Sequence, residues 1–126
     1  LATRHNLPAR LAVVPMVLEA RGLDVTPAMI DRFAKIGDET SARILNRILM
    51  DEITHVATGS RWFHYICARE TIDPRMSWQE LVEKNFKGLL KPPFNRAARE
   101  EAGLPEEYYA PLAAPAPGPN PKNGKL

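Results

Sequence analysis

The sequence contains a single cysteine, Cys67, and no apolar run that approaches the length of a membrane span. One cysteine excludes an internal disulfide and fits a reducing compartment, so we expect a cytoplasmic protein. A transmembrane helix would need about 20 consecutive apolar residues, so we expect no membrane contact. Because no general base is placed beside Cys67, we expect a small buried residue there and not a nucleophile.

The sequence also lacks a predominance of either sign of charge. The 17 basic and 15 acidic residues are interspersed and give a net charge of +2. A nucleic-acid-binding protein would cluster its basic residues on one face, so nucleic-acid binding is not expected. No glycine-rich phosphate loop and no Ser–His–Asp combination is present either.

No segment alternates polar and apolar residues for long enough to predict a strand, and the predicted class is all-α. Asn6 is expected to cap a first helix, which Pro15 kinks and Gly22 ends. The pair Thr26-Pro27 predicts the start of a short second helix, which stops at Gly37.

A long helix is predicted next, from Glu39 to about Ala68, with Asp38 as its cap. Ser77 is expected to cap a helix over 78–86. A last short helix is expected from Asn95 to Ala102, closed by Gly103.

Proline and tyrosine define the end of the chain. Five of the 12 prolines lie within 111–121, so residues 113–126 are expected to form a disordered tail after a domain at 1–112. Tyr108 and Tyr109 are expected to fold the segment before this tail back onto the helices.

The long helix carries the most informative pattern. Its apolar residues follow helical spacing, and continuing this stripe through its gap leads to Glu52 and His55. A buried carboxylate must be paired, protonated or bound to a metal, and Glu-x-x-His can hold one metal site. A Glu–His hydrogen bond, or a polar patch at the edge of the stripe, would explain the same pattern. The stripe comprises Ile44, Leu45, Ile48, Leu49, Val56, Trp62, Phe63 and Ile66.

Glu19 is a third candidate. It lies on or beside the apolar side of the first helix, and the midpoint between Glu19 and Glu52 falls close to the turn at Gly37. In a chain that folds back on itself there, the two carboxylates would lie at similar heights. The alternative is a surface glutamate paired with a base such as Arg21.

Three segments carry a resemblance to a known family. They are residues 18–27 (LEARGLDVTP), residues 51–57 (DEITHVA) with Arg61-Trp62-Phe63, and residues 89–95 (LLKPPFN). These segments resemble, in order and over about residues 7–112, the C-terminal half of a bacterial ferritin-like family of unknown function.

The resemblance implies a four-helix bundle built from two hairpins, each giving one Glu and one Glu-x-x-His to a two-metal site. Glu19 would correspond to the lone Glu, Glu52 to a bridging ligand and His55 to a terminal nitrogen ligand. Carboxylates and imidazole suit iron or manganese. The expected fold is one antiparallel hairpin followed by short C-terminal helices.

The second ligand set is missing from the sequence. The chain begins with Leu1 and not Met, so we expect either a fragment whose N-terminal hairpin is absent or a homodimer in which each chain gives one hairpin. A lone hairpin would expose the stripe around Ile48 and Trp62. Trp62 is expected to pack in the core, and His64, off the face of Glu52 and His55, to lie at the surface or against a loop.

Two functions follow as expectations. The first is a carboxylate-bridged di-iron or Mn/Fe protein with oxygen- or peroxide-linked chemistry, as an oxidase, a hydroxylase or an iron store. The second is a non-enzymatic helical module for dimerisation or partner binding, with an incomplete metal site.

Overall fold

A computed structural model describes residues 6–115, which are mostly helical, as the sequence predicts. Four helices form the body of the structure: α1 (Leu7–Val13), α2 (Ala20–Lys35), α3 (Glu39–Glu70) and α4 (Pro74–Asn85). A π-helical segment, Val14–Glu19, joins α1 to α2. Two short helices, α5 (Arg96–Glu101) and α6 (Glu106–Tyr109), and a 3₁₀ turn, Ala110–Leu112, complete the described chain.

The first half of the chain is a helical hairpin. Asn6 caps α1 by accepting a hydrogen bond from the Ala9 amide at 3.1 Å. The hairpin turns at Gly37, whose φ of +82° lies in the left-handed region that favours glycine. Asp38 then caps α3 by accepting from the Ser41 amide at 3.0 Å. These caps and this turn confirm the predictions for both ends of the hairpin.

The predicted break between Gly22 and Pro27 is wrong, because α2 runs through both residues. Proline inside a helix frees the carbonyl four residues earlier, here that of Leu23. The Asn95 side-chain amide donates to this carbonyl at 3.1 Å and replaces the missing hydrogen bond. A distant residue thus stabilises a helix that local signals would have ended.

Pro15 distorts its helix, as expected, but the distortion is a π segment. Pro15 has no amide hydrogen, and its carbonyl accepts a hydrogen bond from the Ala20 amide five residues later. The buried indole of Trp78 donates to the Ala12 carbonyl, one turn before Pro15, at 3.1 Å. This hydrogen bond joins α4 to the distorted region.

The C-terminal elements close the core over the hairpin. Tyr108 and Tyr109 are buried, which confirms that this segment folds back onto the helices. The predicted start of α4 at Ser77 is wrong, because Asp73 caps it through the Met76 amide at 2.8 Å and Pro74 occupies the first turn. The largest fully buried side chains are Trp78, Tyr109, Phe63, Met16, Leu23, Leu104, Val56 and Cys67.

Two faces rich in apolar residues run along α3, and the other helices cover one of them. The covered face consists of Ile53, Val56, Gly59, Ser60, Phe63 and Cys67. Ile44, Ile48 and Trp62 lie on the other face and are 56%, 50% and 56% exposed. The prediction that Trp62 packs in the core is therefore wrong for this chain. The predicted single stripe is divided between the two faces, because Val56 and Phe63 are buried whereas the residues around Ile48 and Trp62 are exposed, as expected for a lone hairpin. We call Ile44, Ile48 and Trp62 the exposed stripe.

The chain beyond α6 pairs with the loop before α5. Leu90 donates to the Leu112 carbonyl at 2.9 Å and accepts from the Ala114 amide at 2.7 Å, in an isolated parallel bridge. The predicted tail boundary after Leu112 falls within this bridge, and residues 116–126 of the predicted tail lie outside the described residues. Within residues 6–115, no helix combines the length and the apolar character that crossing a membrane requires.

Candidate metal centre

Glu52 and His55 lie one turn apart near the middle of α3. Glu52 Oε2 is 3.7 Å from His55 Nδ1, and the two side chains are 23% and 64% exposed, respectively. The structure therefore brings this predicted pair together, but not on one buried face. His55 follows Ile48 and precedes Trp62 by seven residues each, and this spacing places it on the exposed stripe's side of α3.

Glu52 sits at the border between the covered and the exposed faces of α3. Its Oε1 atom is buried and has no hydrogen-bond partner. Leaving a carboxylate oxygen buried and unpaired is costly, because the group loses its hydration without compensation. Glu52 thus offers one free, desolvated oxygen beside an imidazole.

Gly22 of α2 is opposite Glu52. A Cβ atom placed on Gly22 would lie 3.7 Å from Glu52 Cγ, so α2 passes close to this carboxylate. Glu19 precedes Gly22 by three residues and so lies on the same side of the helix, at the end of the π segment.

A second contact fixes the register of the hairpin. Pro15 packs against Gly59. Pro15 and Gly59 are equidistant along the chain from Gly37, as are Gly22 and Glu52 and likewise Glu19 and His55. This register places Glu19 at the level of His55, within one turn of Glu52, close to the predicted height.

The predicted ligands do not form a three-ligand cluster on their own. Within residues 6–115, no group of three or more His, Cys, Asp and Glu residues is close enough to hold a metal ion. Glu52 and His55 form a pair, and half-buried Glu19 lies on the adjoining helix. The donor types are ones that iron or manganese accepts, but the described residues provide a pair with one neighbouring carboxylate and not a complete ligand set.

His64 belongs to a separate hydrogen-bond network and is half-buried. Its Nδ1 is 2.7 Å from the Ser60 carbonyl and its Nε2 is 2.7 Å from the Tyr108 hydroxyl. Because a carbonyl can only accept, Nδ1 of the neutral imidazole donates, and Nε2 accepts from Tyr108. His64 therefore contacts a short helix, where the sequence predicts a surface position or a contact with a loop, and the network joins α3 to α6.

Cys67 is 1% exposed, as predicted. Burial raises the pKa of its thiol, while a hydrogen bond with Ser77 opposes this effect. A thiol held neutral in this way fits a packing role.

Two features near the candidate centre do not follow from the local sequence signals. Gly22 looks like a helix end, yet it marks the point where α2 passes Glu52. Pro15 predicts a kink but not the π segment that ends at Glu19, and π segments occur frequently at functional sites. The position of these residues along the chain is a usable signal for both features. Gly22 lies as far before the turn at Gly37 as Glu52 lies after it, and the same is true of Pro15 and Gly59.

Comparison with known proteins identifies the family. A family model described as "Protein of unknown function (DUF455)" matches residues 1–110, and the chain belongs to this family. An uncharacterized protein of Haemophilus influenzae is 40% identical over 103 residues. The alignment covers 82% of this chain but 36% of that relative, so the chain spans about a third of the relative's length. No solved structure matches.

Proposed function

We propose that this chain is a ferritin-like metal-binding protein that supplies one half of a carboxylate-bridged two-metal site. The observation that carries the proposal is the buried, unpartnered Oε1 of Glu52 next to His55. A metal cation would satisfy this oxygen at the position where the protein offers no hydrogen-bond donor. Glu19, at the same level on the adjoining helix, is the third ligand of this half.

The roles of the three residues follow from their chemistry and placement. Glu52 has two carboxylate oxygens and so can bridge two cations, whereas His55 offers one nitrogen to one cation. Iron and manganese both accept this mixture of oxygen and nitrogen donors. Bound metal would supply oxygen- or peroxide-linked redox chemistry, while the protein supplies the ligands and their surroundings.

The remaining ligands must come from a second hairpin. His55 shares the side of α3 that carries Ile44, Ile48 and Trp62, so a hairpin packed on the exposed stripe would also cover His55. Such packing would bury apolar side chains and shield the metal site from water in one step. The second hairpin is either another copy of this chain or a segment outside it.

Metal content and molecular mass, measured together, test the proposal. The chain is expressed with iron and manganese supplied, and metal is quantified by plasma mass spectrometry alongside light scattering. We expect a dimer with about one ion per chain, as a two-metal site between two hairpins requires. Glu52→Gln should remove the metal, and Glu83→Gln, an exposed control on α4, should retain it.

A non-enzymatic dimerisation module is the second candidate, favoured by the exposed stripe itself. In that case the chain dimerises without metal, and Glu52→Gln stabilises it because a buried unpaired charge is removed. Ile48→Glu should disrupt the dimer in both cases. A metal-free monomer would contradict assembly of a site from two copies.

A further inference from the structure

A cavity of about 430 Å³ lies beside the start of α2, and none of the three predicted metal ligands lines it. Its wall is formed by the end of the π segment, the loop that follows α4, and α5. Most of this wall is apolar, and Leu18, Phe86 and Phe94 are among its apolar side chains. The volume falls within the range of about 300–1,000 Å³ that is usual for small-ligand sites.

The charged residues of this wall are predominantly basic. Arg21, Lys87, Lys91 and Arg99 line the cavity, and Asp24 is the one acidic residue among them. The whole chain, by contrast, carries nearly equal numbers of acids and bases. Cations concentrated in a cleft with apolar walls raise the local concentration of anions.

Asp24 is already fully engaged by protein groups. Its Oδ1 accepts from Arg99 Nε at 2.9 Å and from the Asn95 amide at 2.8 Å, and its Oδ2 accepts from Arg99 Nη2 at 2.6 Å. The carboxylate therefore neutralises one positive charge of the wall and leaves the other three basic residues without a carboxylate partner inside the cavity.

Arg99 is held rigidly yet keeps one unused donor. Its side chain is 3% exposed, and the guanidinium carbon lies 4.9 Å from the Phe94 ring centre and 4.6 Å from that of Tyr109. Nη1 is buried and has no hydrogen-bond partner. A buried ion pair that served stability alone would be expected to satisfy all its donors, because an unpaired buried N–H is costly.

We propose that this cavity binds an organic anion, an oxyanion group carried on a small apolar body. The oxyanion is held by the positive charge of Arg99, whose Nη1 has no partner in the protein, and of Lys87 and Lys91, all three of which line the cavity. The apolar body packs against Leu18, Phe86 and Phe94. None of these residues is a predicted metal ligand, so this site is independent of the proposed metal function.

Four simple probes test the proposal on the intact chain by isothermal titration calorimetry. Octanoate and octyl phosphate combine an oxyanion with an apolar body, octanol lacks the charge, and inorganic phosphate lacks the apolar body. We expect saturable one-to-one binding of octanoate or octyl phosphate with a Kd below about 1 mM. Octanol and inorganic phosphate should each bind at least about tenfold more weakly, because octanol lacks the ionic contacts and inorganic phosphate lacks the apolar contacts. The stronger of the first two identifies the oxyanion.

Two pairs of lysine substitutions, one lining the cavity and one outside it, separate an effect on binding from a general effect of lost charge on the fold. Lys87→Gln with Lys91→Gln should weaken octanoate binding by about tenfold, which corresponds to the loss of two partly screened ionic contacts. Lys35→Gln with Lys84→Gln removes two exposed charges outside the cavity and should leave binding unchanged.

The NMR signal of the Arg99 side chain reports binding without any substitution. Its Nε–H group is bonded to Asp24 and buried, and its NMR signal should shift on titration with octanoate but not with octanol. Equal affinity for octanol, full affinity in the Lys87/Lys91 variant, or an unchanged Arg99 signal at saturation would each overturn the proposal.

Discussion

Pro15 occupies the space where a side chain on Gly59 would begin. A Cβ atom on Gly59 would lie 2.4 Å from both Cβ and Cγ of Pro15, closer than carbon atoms can approach. The π segment and α3 are therefore in direct contact at this point, one turn beyond His55. This contact sets how closely the helix that carries Glu19 approaches the helix that carries Glu52.

Gly59→Ala should destabilise the protein. Alanine favours a helix over glycine by about 1 kcal/mol, but the added methyl group would push against the rigid Pro15 ring. Overpacking of this kind costs about 1–3 kcal/mol. We expect a net loss of up to about 2 kcal/mol in the free energy of unfolding, measured by urea denaturation with far-UV circular dichroism.

Gly22→Ala is the matched control for this substitution. Its new Cβ would meet Glu52 Cγ at 3.7 Å, an ordinary van der Waals distance. The helix preference should then dominate and stabilise the protein by up to about 1 kcal/mol. Equal effects of the two substitutions would contradict the close approach at Gly59.

Arg99→Met should be strongly destabilising, because it leaves the Asp24 carboxylate buried without its cation. Removing one member of a buried ion pair costs about 3–5 kcal/mol. Arg99→Met combined with Asp24→Asn should recover part of this loss in urea denaturation, since no charge then remains unpaired.

Arg96 on the same short helix provides the comparison. Its ion pair with Glu106, at 3.2 Å, is exposed to solvent. Arg96→Met should change the free energy of unfolding by no more than about 1 kcal/mol.

A double variant of Asp24 and Arg99 as unstable as Arg99→Met alone would argue against an unpaired charge as the cause.

The two adjacent tyrosines should respond differently to loss of their hydroxyl groups. Tyr108→Phe removes the donor to His64 Nε2 and should cost about 1–2 kcal/mol. The Tyr109 hydroxyl is buried without a partner, so Tyr109→Phe should be neutral or stabilising by up to about 1 kcal/mol. Urea denaturation of both variants side by side tests this, and a larger loss for Tyr109→Phe would refute it.

Alkaline pH should destabilise the fold. Burial raises the pKa of Tyr108 and of Tyr109 above the ordinary 10.0, and that of Cys67 above 9.0. These groups release protons more readily in the unfolded chain, so the folded state binds more protons and loses stability as the pH rises. Their contribution is fully present below about pH 9 and declines through the raised pKa values.

Urea midpoints measured from about pH 8 to pH 11 test this expectation. Tyr108→Phe and Tyr109→Phe should each flatten the decline above pH 10, whereas Cys67→Ala should flatten its onset near pH 9. A free energy of unfolding that stays constant across this range would contradict the stated burial effects.

Local sequence signals predicted much of the fold correctly. Asn6 and Asp38 each cap a helix through a side-chain oxygen, and Gly37 makes the turn of the hairpin. Each of these features depends on residues within one turn, so a single sequence contains the information needed.

The incorrect predictions concern features that depend on residues distant in the sequence. Pro27 looks like a helix start, and the sequence gives no sign that Asn95 will satisfy the carbonyl of Leu23. The burial of Arg99 depends likewise on Asp24 and on two aromatic rings from other segments. For Trp62, helical spacing predicted an apolar face but not whether a neighbour covers it.

The π segment also changes how the hairpin would respond to insertions and deletions. It holds one residue more than a regular helix would need to span the same rise. Deleting one residue within Val14–Glu19 would therefore restore regular geometry and leave Ala9 and Ala12 facing the core. The same deletion in a regular helix such as α3 would rotate every residue on one side of it by about 100°. The π segment is thus a place where the hairpin tolerates the loss of one residue without turning its core side chains outward.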